Sequence, residues 1–198
     1  MILLDDAQST ATNPSSRLYD APLQYWRVLP SGNQADDRKA IQDCLTQISH
    51  SLSQGEYVVA AFAYEMGRSI HKLAHRQITS TPHPLIEAWS FQNFKKLSKE
   101  ALDQHIAQQI NKLDQSQHIA GVLDVQESIT KKQFSADIAK IQEYIRNGDS
   151  YQINHTYRIT GKAYGAPLAL YNRLRERQPG RFGAFIEQGS RYLLSQSP

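Results

Sequence analysis

The sequence predicts an α+β fold of mostly antiparallel sheets with helices packed outside. Three observations carry this. Strand-length apolar runs and helical stripes alternate irregularly along the 198 residues, without the steady βαβ rhythm of a parallel sheet. Several strands are spaced as hairpins, and the glycines stand singly at element ends, where turn duty explains them. Cys44 is the only cysteine, so no internal disulfide staples the chain, and a chain of this size buries roughly 70% of its unfolded surface without one.

Taken in order, "MILLDDA" reads as a short buried strand. "SSRLYDAPLQYWRVLP" reads as a turn followed by a strand near Leu23–Leu29. In "DDRKAIQDCLTQISHSLSQG" the residues Ala40, Ile41, Cys44, Leu45, Ile48 and Leu52 recur at helical spacing, with Gly55 placed to end the helix. Cys44 lies on that stripe, as a buried thiol. "EYVVAAFAYEMG" is nearly continuous in apolar residues, which predicts a central strand covered on both faces. A short helix is expected from Ser69 to Arg76, then a proline-marked loop at "TSTPHP" and a strand at "LIEAWSFQ".

"SKEALDQHIAQQINKLDQSQ" carries the stripe Leu102, Ile106, Ile110 and Leu113 on an otherwise polar surface, as expected of a solvated helix outside the sheet. "IAGVLDVQE" resumes strand character. The strongest helical signal is "TKKQFSADIAKIQEYIRNG", with Phe134, Ile138, Ile141 and Ile145 on one face and Gly148 as its stop. The next stretch alternates strictly. Tyr151, Ile153, His155, Tyr157 and Ile159 would share one face of a strand, and Gln152, Asn154, Thr156, Arg158 and Thr160 the other. "GAPLALYNRLRERQPG" predicts a helix with Leu170 and Leu174 on its apolar side and the basic residues outward. "RFGAFIEQGSRYLLSQSP" predicts a hairpin turning at Gln188–Ser190.

The charge balance, 22 basic against 19 acidic residues, is spread along the chain and forms no basic face of the kind nucleic acid selects. The opening "MILLDDAQST" places acidic residues where a signal peptide needs an apolar run, and no stretch approaches a membrane span; a reducing, cytoplasmic setting is expected. His71 and His75 lie one helical turn apart but without the glutamate or third ligand of a zinc site, so surface histidines are the plainer account. Glu65 either lines a cleft or is balanced by a nearby arginine. The polar row Gln152–Thr160 either faces solvent or meets a carboxylated, hydroxylated small molecule.

"IQEYIRNGDSYQINHTYRIT" followed by "APLALYNRLRERQPGRFGAFIEQGSRYLLSQSP" resembles the middle of the chorismate-utilising enzymes, the anthranilate synthase component I-like family. The shared pattern is a helix ending in Gly-Asp, Tyr-Gln-x-Asn, a Pro-Leu-x-x-Tyr-x-x-Leu-Arg helix, an aromatic strand and Leu-Ser-x-Ser-Pro. "GEYVVAAFAYEMGRSI" is similar to an earlier strand of that family, and "ILLDDA" with "SRLYDAP" resembles the opening of its aminodeoxychorismate branch. The resemblance implies an N-terminal region over 1–125 and the start of a truncated chorismate-binding domain over 126–198.

The implied reaction replaces the C4 hydroxyl of chorismate with ammonia from a glutamine amidotransferase partner, giving 4-amino-4-deoxychorismate for 4-aminobenzoate and folate. A magnesium ion is the implied cofactor. In the family its ligands and the acid–base residues follow the Ser-Pro motif, so the resemblance implies no catalytic residue in this chain and a fragment inactive alone. It further implies a tryptophan-type pocket walled by Leu4, Asp6, Arg17, Tyr19, Asn154, Phe182 and Gly183. Asp6 stands where the family usually has Ser, and Arg181 where it has a proline, so an empty or altered pocket is expected. An anthranilate synthase fragment and a non-catalytic ligand-binding or partner-docking domain are the alternatives.

Overall fold

A computed structural model describes residues 1–71 and 83–197 and shows the expected α+β architecture, with every strand pairing antiparallel. The chain forms two compact units, Met1–Asp103 with Gln178–Pro198, and Gln104–Arg177.

Unit 1 holds two sheets. In the larger, β1 (Ile2–Asp5) lies between β2 (Ser16–Tyr19) and β9 (Phe182–Gln188); β6 (Lys95–Leu97) extends one edge and β10 (Arg191–Ser197) the other. The smaller sheet runs β3 (Gln24–Val28), β5 (Ile86–Phe91), β4 (Tyr57–Phe62). Ile2, Tyr19 and Ile186 from the larger sheet pack with Val59, Trp89 and Phe91 from the smaller, forming one apolar layer. The opposite face of the smaller sheet meets α1 (Gln34–Ser53), where Trp26, Ile41, Cys44, Ile48, Ile86 and Ala88 form a second. Strand alternation explains the division: on β5, Ile86 and Ala88 point toward the helix, and Trp89 and Phe91 fall in the other layer.

α1 starts on Asn33, whose side-chain oxygen accepts from the N–H groups of Ala35 and Asp36, and stops before Gly55 at φ +80°. The β9–β10 hairpin turns through Gly189 and Ser190 as expected. Gly189, at φ +58°, supplies the left-handed first position of a two-residue turn.

Unit 2 contains most of α3 (Lys99–Asn111), then α4 (Gln115–His118), β7 (Gly121–Glu127), α5 (Lys131–Arg146), β8 (Ile159–Tyr164) and α6 (Pro167–Arg177). The remaining helix, α2 (Met66–Ile70), belongs to unit 1; the part of the expected Ser69–Arg76 helix past His71, together with His75 and most of the "TSTPHP" loop, lies outside the described residues.

Four sequence expectations change. The central strand of the smaller sheet is β5, and the apolar run Tyr57–Phe62 is its edge, with Tyr57 and Phe62 about half exposed. A continuous apolar run records hydrophobicity but not the number of ladder partners, and β5 has two. Ser16–Tyr19, expected as a turn, is a strand because β1 and β6 flank it. α6 buries Leu168, Ala169, Tyr171 and Arg175 and leaves Leu174 exposed, so its inner face is rotated from the expected one. Arg175 goes inward with a partner for its guanidinium, as a buried charge requires. Lastly, residues 151–158 pair with no strand; only Ile159–Tyr164 joins β7.

That last segment still uses its alternation. His155 and Tyr157 set their rings edge-on to Phe134 of α5, and His155 Nε2 lies 3.2 Å from Asp137 Oδ2. Hydrogen bonds to Asp137 from His155 and Gln133 hold its carboxyl below the usual range. α5 has no buried residue despite its apolar stripe.

Ile86 is fully buried and touches both the helix and its neighbouring strands. Ile86→Ala removes that packing and should lower unfolding free energy by about 2–5 kcal/mol, read by urea denaturation. A loss well under that range would mean the layer under α1 relaxes around the gap.

Candidate functional site

Six of the seven residues implied as pocket walls belong to unit 1, and β1 organises them. Leu4 stands opposite Arg17 on β2 and Ala184 on β9, and Ile2 opposite Tyr19 and Ile186. Residues paired across an antiparallel ladder share a face, so Leu4, Arg17 and Tyr19 lie on the side turned to the smaller sheet. Phe182, two residues before Ala184, shares that side. Gly183 pairs with Asp5 on the other side, so it contributes backbone there.

Tyr19 is buried between Phe91, at 5.0 Å, and Phe94, at 5.1 Å between ring centroids. The Arg17 guanidinium sits 5.5 Å from the centre of the Phe94 ring, and the side chain is otherwise exposed. A guanidinium lying on an aromatic face keeps its N–H edges free, which suits a planar anion such as a carboxylate. Phe182 is 66% exposed, with Arg181 6.0 Å from its ring. This end of the layer between the sheets therefore offers apolar surface flanked by two cations.

Asp6 does something different. Its Oδ1 accepts from the Gln8 N–H at 2.9 Å and its Oδ2 from the Ser15 hydroxyl at 2.8 Å, while its own N–H donates to Ser16 Oγ at 3.0 Å. The Gln8 bond, then the Ser15 bond, then the charge of Arg181 at 4.0 Å hold its carboxyl below the usual range. Both oxygens are occupied in tying the β1–β2 loop together.

Asn154 belongs to unit 2, where it is exposed and its side-chain oxygen lies 3.4 Å from the Gln152 amide nitrogen. Arg158 is exposed as well. Glu65 is exposed just before α2 and caps nothing.

Sequence reading missed a second polar cluster in unit 1. The Tyr25 hydroxyl donates to Glu87 Oε1 at 2.5 Å, and Arg191 Nη2 donates to Glu87 Oε2. The Trp89 indole N–H donates to Gln188 Oε1 at 2.8 Å. Burial first, then the bond to Glu87, then the charge of Glu87 push Tyr25 up to about 12. Glu87 and Arg191 are 104 positions apart, and no local motif marks such a pair.

Two pH responses follow. The lowered Asp6 pKa gives stabilisation that is complete above the usual carboxylate range and is lost as pH falls through the folded value. Asp6→Asn should therefore flatten the acid limb of a Tm-against-pH curve, with little change in the curve's shape near neutrality. The raised Tyr25 pKa gives stabilisation that is present below about 10 and fades as pH rises toward about 12. Tyr25→Phe should remove the latest-ionising component from the tyrosinate absorbance titration at 295 nm. An unchanged titration would show that Tyr25 ionises with the exposed tyrosines.

Comparison with known proteins adds the context for this geometry. The family model described as a chorismate binding enzyme matches residues 6–198. Aminodeoxychorismate synthase component 1 of Escherichia coli (strain K12) is 32% identical over 77 residues, 38% of this chain and 17% of that protein. Anthranilate synthase component 1 of Lactococcus lactis subsp. lactis (strain IL1403) is 30% identical over 71 residues, 36% of this chain and 16% of that protein. Aminodeoxychorismate synthase component 1 of Bacillus subtilis (strain 168) is 32% identical over 69 residues, 35% of this chain and 15% of that protein. The matched segments thus span about one sixth of the length of these relatives.

Proposed function

This chain belongs to the chorismate binding enzyme family, and from that membership we propose that it supplies the N-terminal portion of an enzyme like aminodeoxychorismate synthase component 1. The proposed enzyme takes chorismate and ammonia, the latter from a glutamine amidotransferase partner, to 4-amino-4-deoxychorismate in the cytoplasm. The observation that carries this reading is the family match over nearly the whole chain, set against matched segments that make up about one sixth of each relative. No helix among the described residues is long and apolar enough to cross a membrane.

Replacing a hydroxyl by an amine needs acid assistance to the departing oxygen, and the proposed magnesium ion would supply charge stabilisation to the substrate carboxylate. The described residues do not fit a magnesium site: none of their His, Cys, Asp and Glu side chains gather in a group of three or more suited to a metal ion. We propose that the substitution step draws on other parts of the enzyme. The role proposed for this chain is to bind. Arg17, lying on Phe94, takes a ligand carboxylate, Leu4 and Phe182 give apolar contact, and the buried Tyr19 backs Phe94. Asp6 is not proposed as the partner of a ligand ammonium, because its oxygens are already engaged by Gln8 and Ser15.

Anthranilate synthase component 1 is the second reading, favoured by the 30% identity of the Lactococcus protein over a segment of similar length. Chromatography tests both. The 198-residue chain mixed with chorismate, an ammonium salt and magnesium should form neither 4-amino-4-deoxychorismate nor anthranilate; sustained turnover would sink the assignment of the chemistry elsewhere. The full source reading frame should form the first product, and anthranilate from it would move the chain to the other branch.

A further inference from the structure

Unit 1 contains a cavity of about 310 Å³ between β4–β5 and the β9–β10 hairpin, lined by Phe62, His83, Trp89, Ile186, Gln188 and Arg191 among others. None of the six unit 1 residues discussed as pocket walls lines it. On β9, Phe182 begins the strand and Gln188 ends it, roughly 20 Å apart along extended chain, and the buried Tyr19 shares only the apolar layer with the cavity's Ile186 and Trp89. The cavity is a distinct site.

Its chemistry follows from which polar groups are already spent. Both oxygens of Glu87 are occupied, by the Tyr25 hydroxyl and by Arg191, and the acid's charge is matched by the guanidinium. The Trp89 indole is buried and stacked on Tyr25, and its N–H is committed to Gln188 Oε1, which leaves the Gln188 amide NH₂ as a donor. Arg191 uses one nitrogen on Glu87 and keeps further N–H groups on a half-exposed guanidinium. His83 lines the same cavity. The unspent side-chain groups of Gln188 and Arg191 are therefore donors, set beside the exposed apolar side chains of Phe62 and Leu193. The volume sits at the small end of ligand pockets, large enough for one ring with a short side chain and too small for a nucleotide.

We propose that this cavity binds a small monocarboxylate with a flat apolar body, its ring against the exposed side chains of Phe62 and Leu193 and its carboxylate on the free edges of Arg191 and Gln188. The unspent donors satisfy the carboxylate's lone pairs, and the ring replaces water on Phe62 and Leu193. An amide of the same shape lacks the charge, and an amine brings a donor to a site already rich in donors.

Titrating the full chain with 3-phenylpropionate tests this, because Trp89 is one of only two tryptophans and reports by fluorescence. A saturable change is expected with 3-phenylpropionate and none with 3-phenylpropanamide or phenethylamine. Gln188→Glu keeps the acceptor for the Trp89 N–H but sets a carboxylate against the ligand, and should weaken binding about tenfold or more while leaving the thermal melt in place. Arg17→Met, at the far end of the same layer, should leave the titration unaltered. The proposal falls if there is no saturable change, if the amide or amine responds equally, or if Gln188→Glu has no effect. Loss of the response in Arg17→Met would place the ligand at the other end and overturn it too, independently of whether the chain forms part of a chorismate enzyme.

Discussion

The position of β1, with a ladder partner on each side, is the constraint on which unit 1 depends. The strand is four residues long, yet it joins β2, close by in sequence, to β9, which comes from the other end of the chain. Closing a loop that long costs entropy that grows only with the logarithm of its length, so an ordinary ladder and two buried faces suffice to hold it. Ile2 goes into the layer between the sheets and Leu3 is buried on the opposite side. Placing Leu4 between Arg17 and Ala184 follows from the same register. A slip of one residue would exchange the two faces and remove both the apolar layer and the surface below Arg17.

A common electrostatic pattern appears at both ends of that layer. Each end has an acid, and each acid is spent inside the protein: Asp6 on the β1–β2 loop, Glu87 on Tyr25 and Arg191. What stays available is the donor edge of an arginine next to an aromatic ring, Arg17 with Phe94 and Arg191 near Trp89. Neutralising the acids in place keeps carboxylate repulsion away from surfaces that the remaining donors make suitable for anions.

Unit 2 shows how a pattern in sequence can be kept while its expected use changes. The alternation from Tyr151 to Ile159 puts His155 and Tyr157 on Phe134, yet no strand pairs with residues 151–158, and Tyr151 is almost wholly exposed. The stripe on α5 is likewise present and half open. Periodicity reports which side of an element is apolar; it carries no information on what, if anything, lies against that side.

Local chemistry was legible from the sequence alone: the helix of Ala40–Leu52 with its stop at Gly55, the strand at "LIEAWSFQ", the hairpin turning on Gly189, and an α+β class free of disulfides. Each rests on neighbours a few positions apart, where spacing and backbone preference are enough. Tertiary structure alone decided that β5 and not β4 is central, that Arg175 turns inward, that Asp6 serves its own loop, and that Glu87 meets Arg191 across 104 positions. Those outcomes depend on which surfaces meet after the chain closes, and ladder partners and charge partners so distant leave no spacing signal in the linear order.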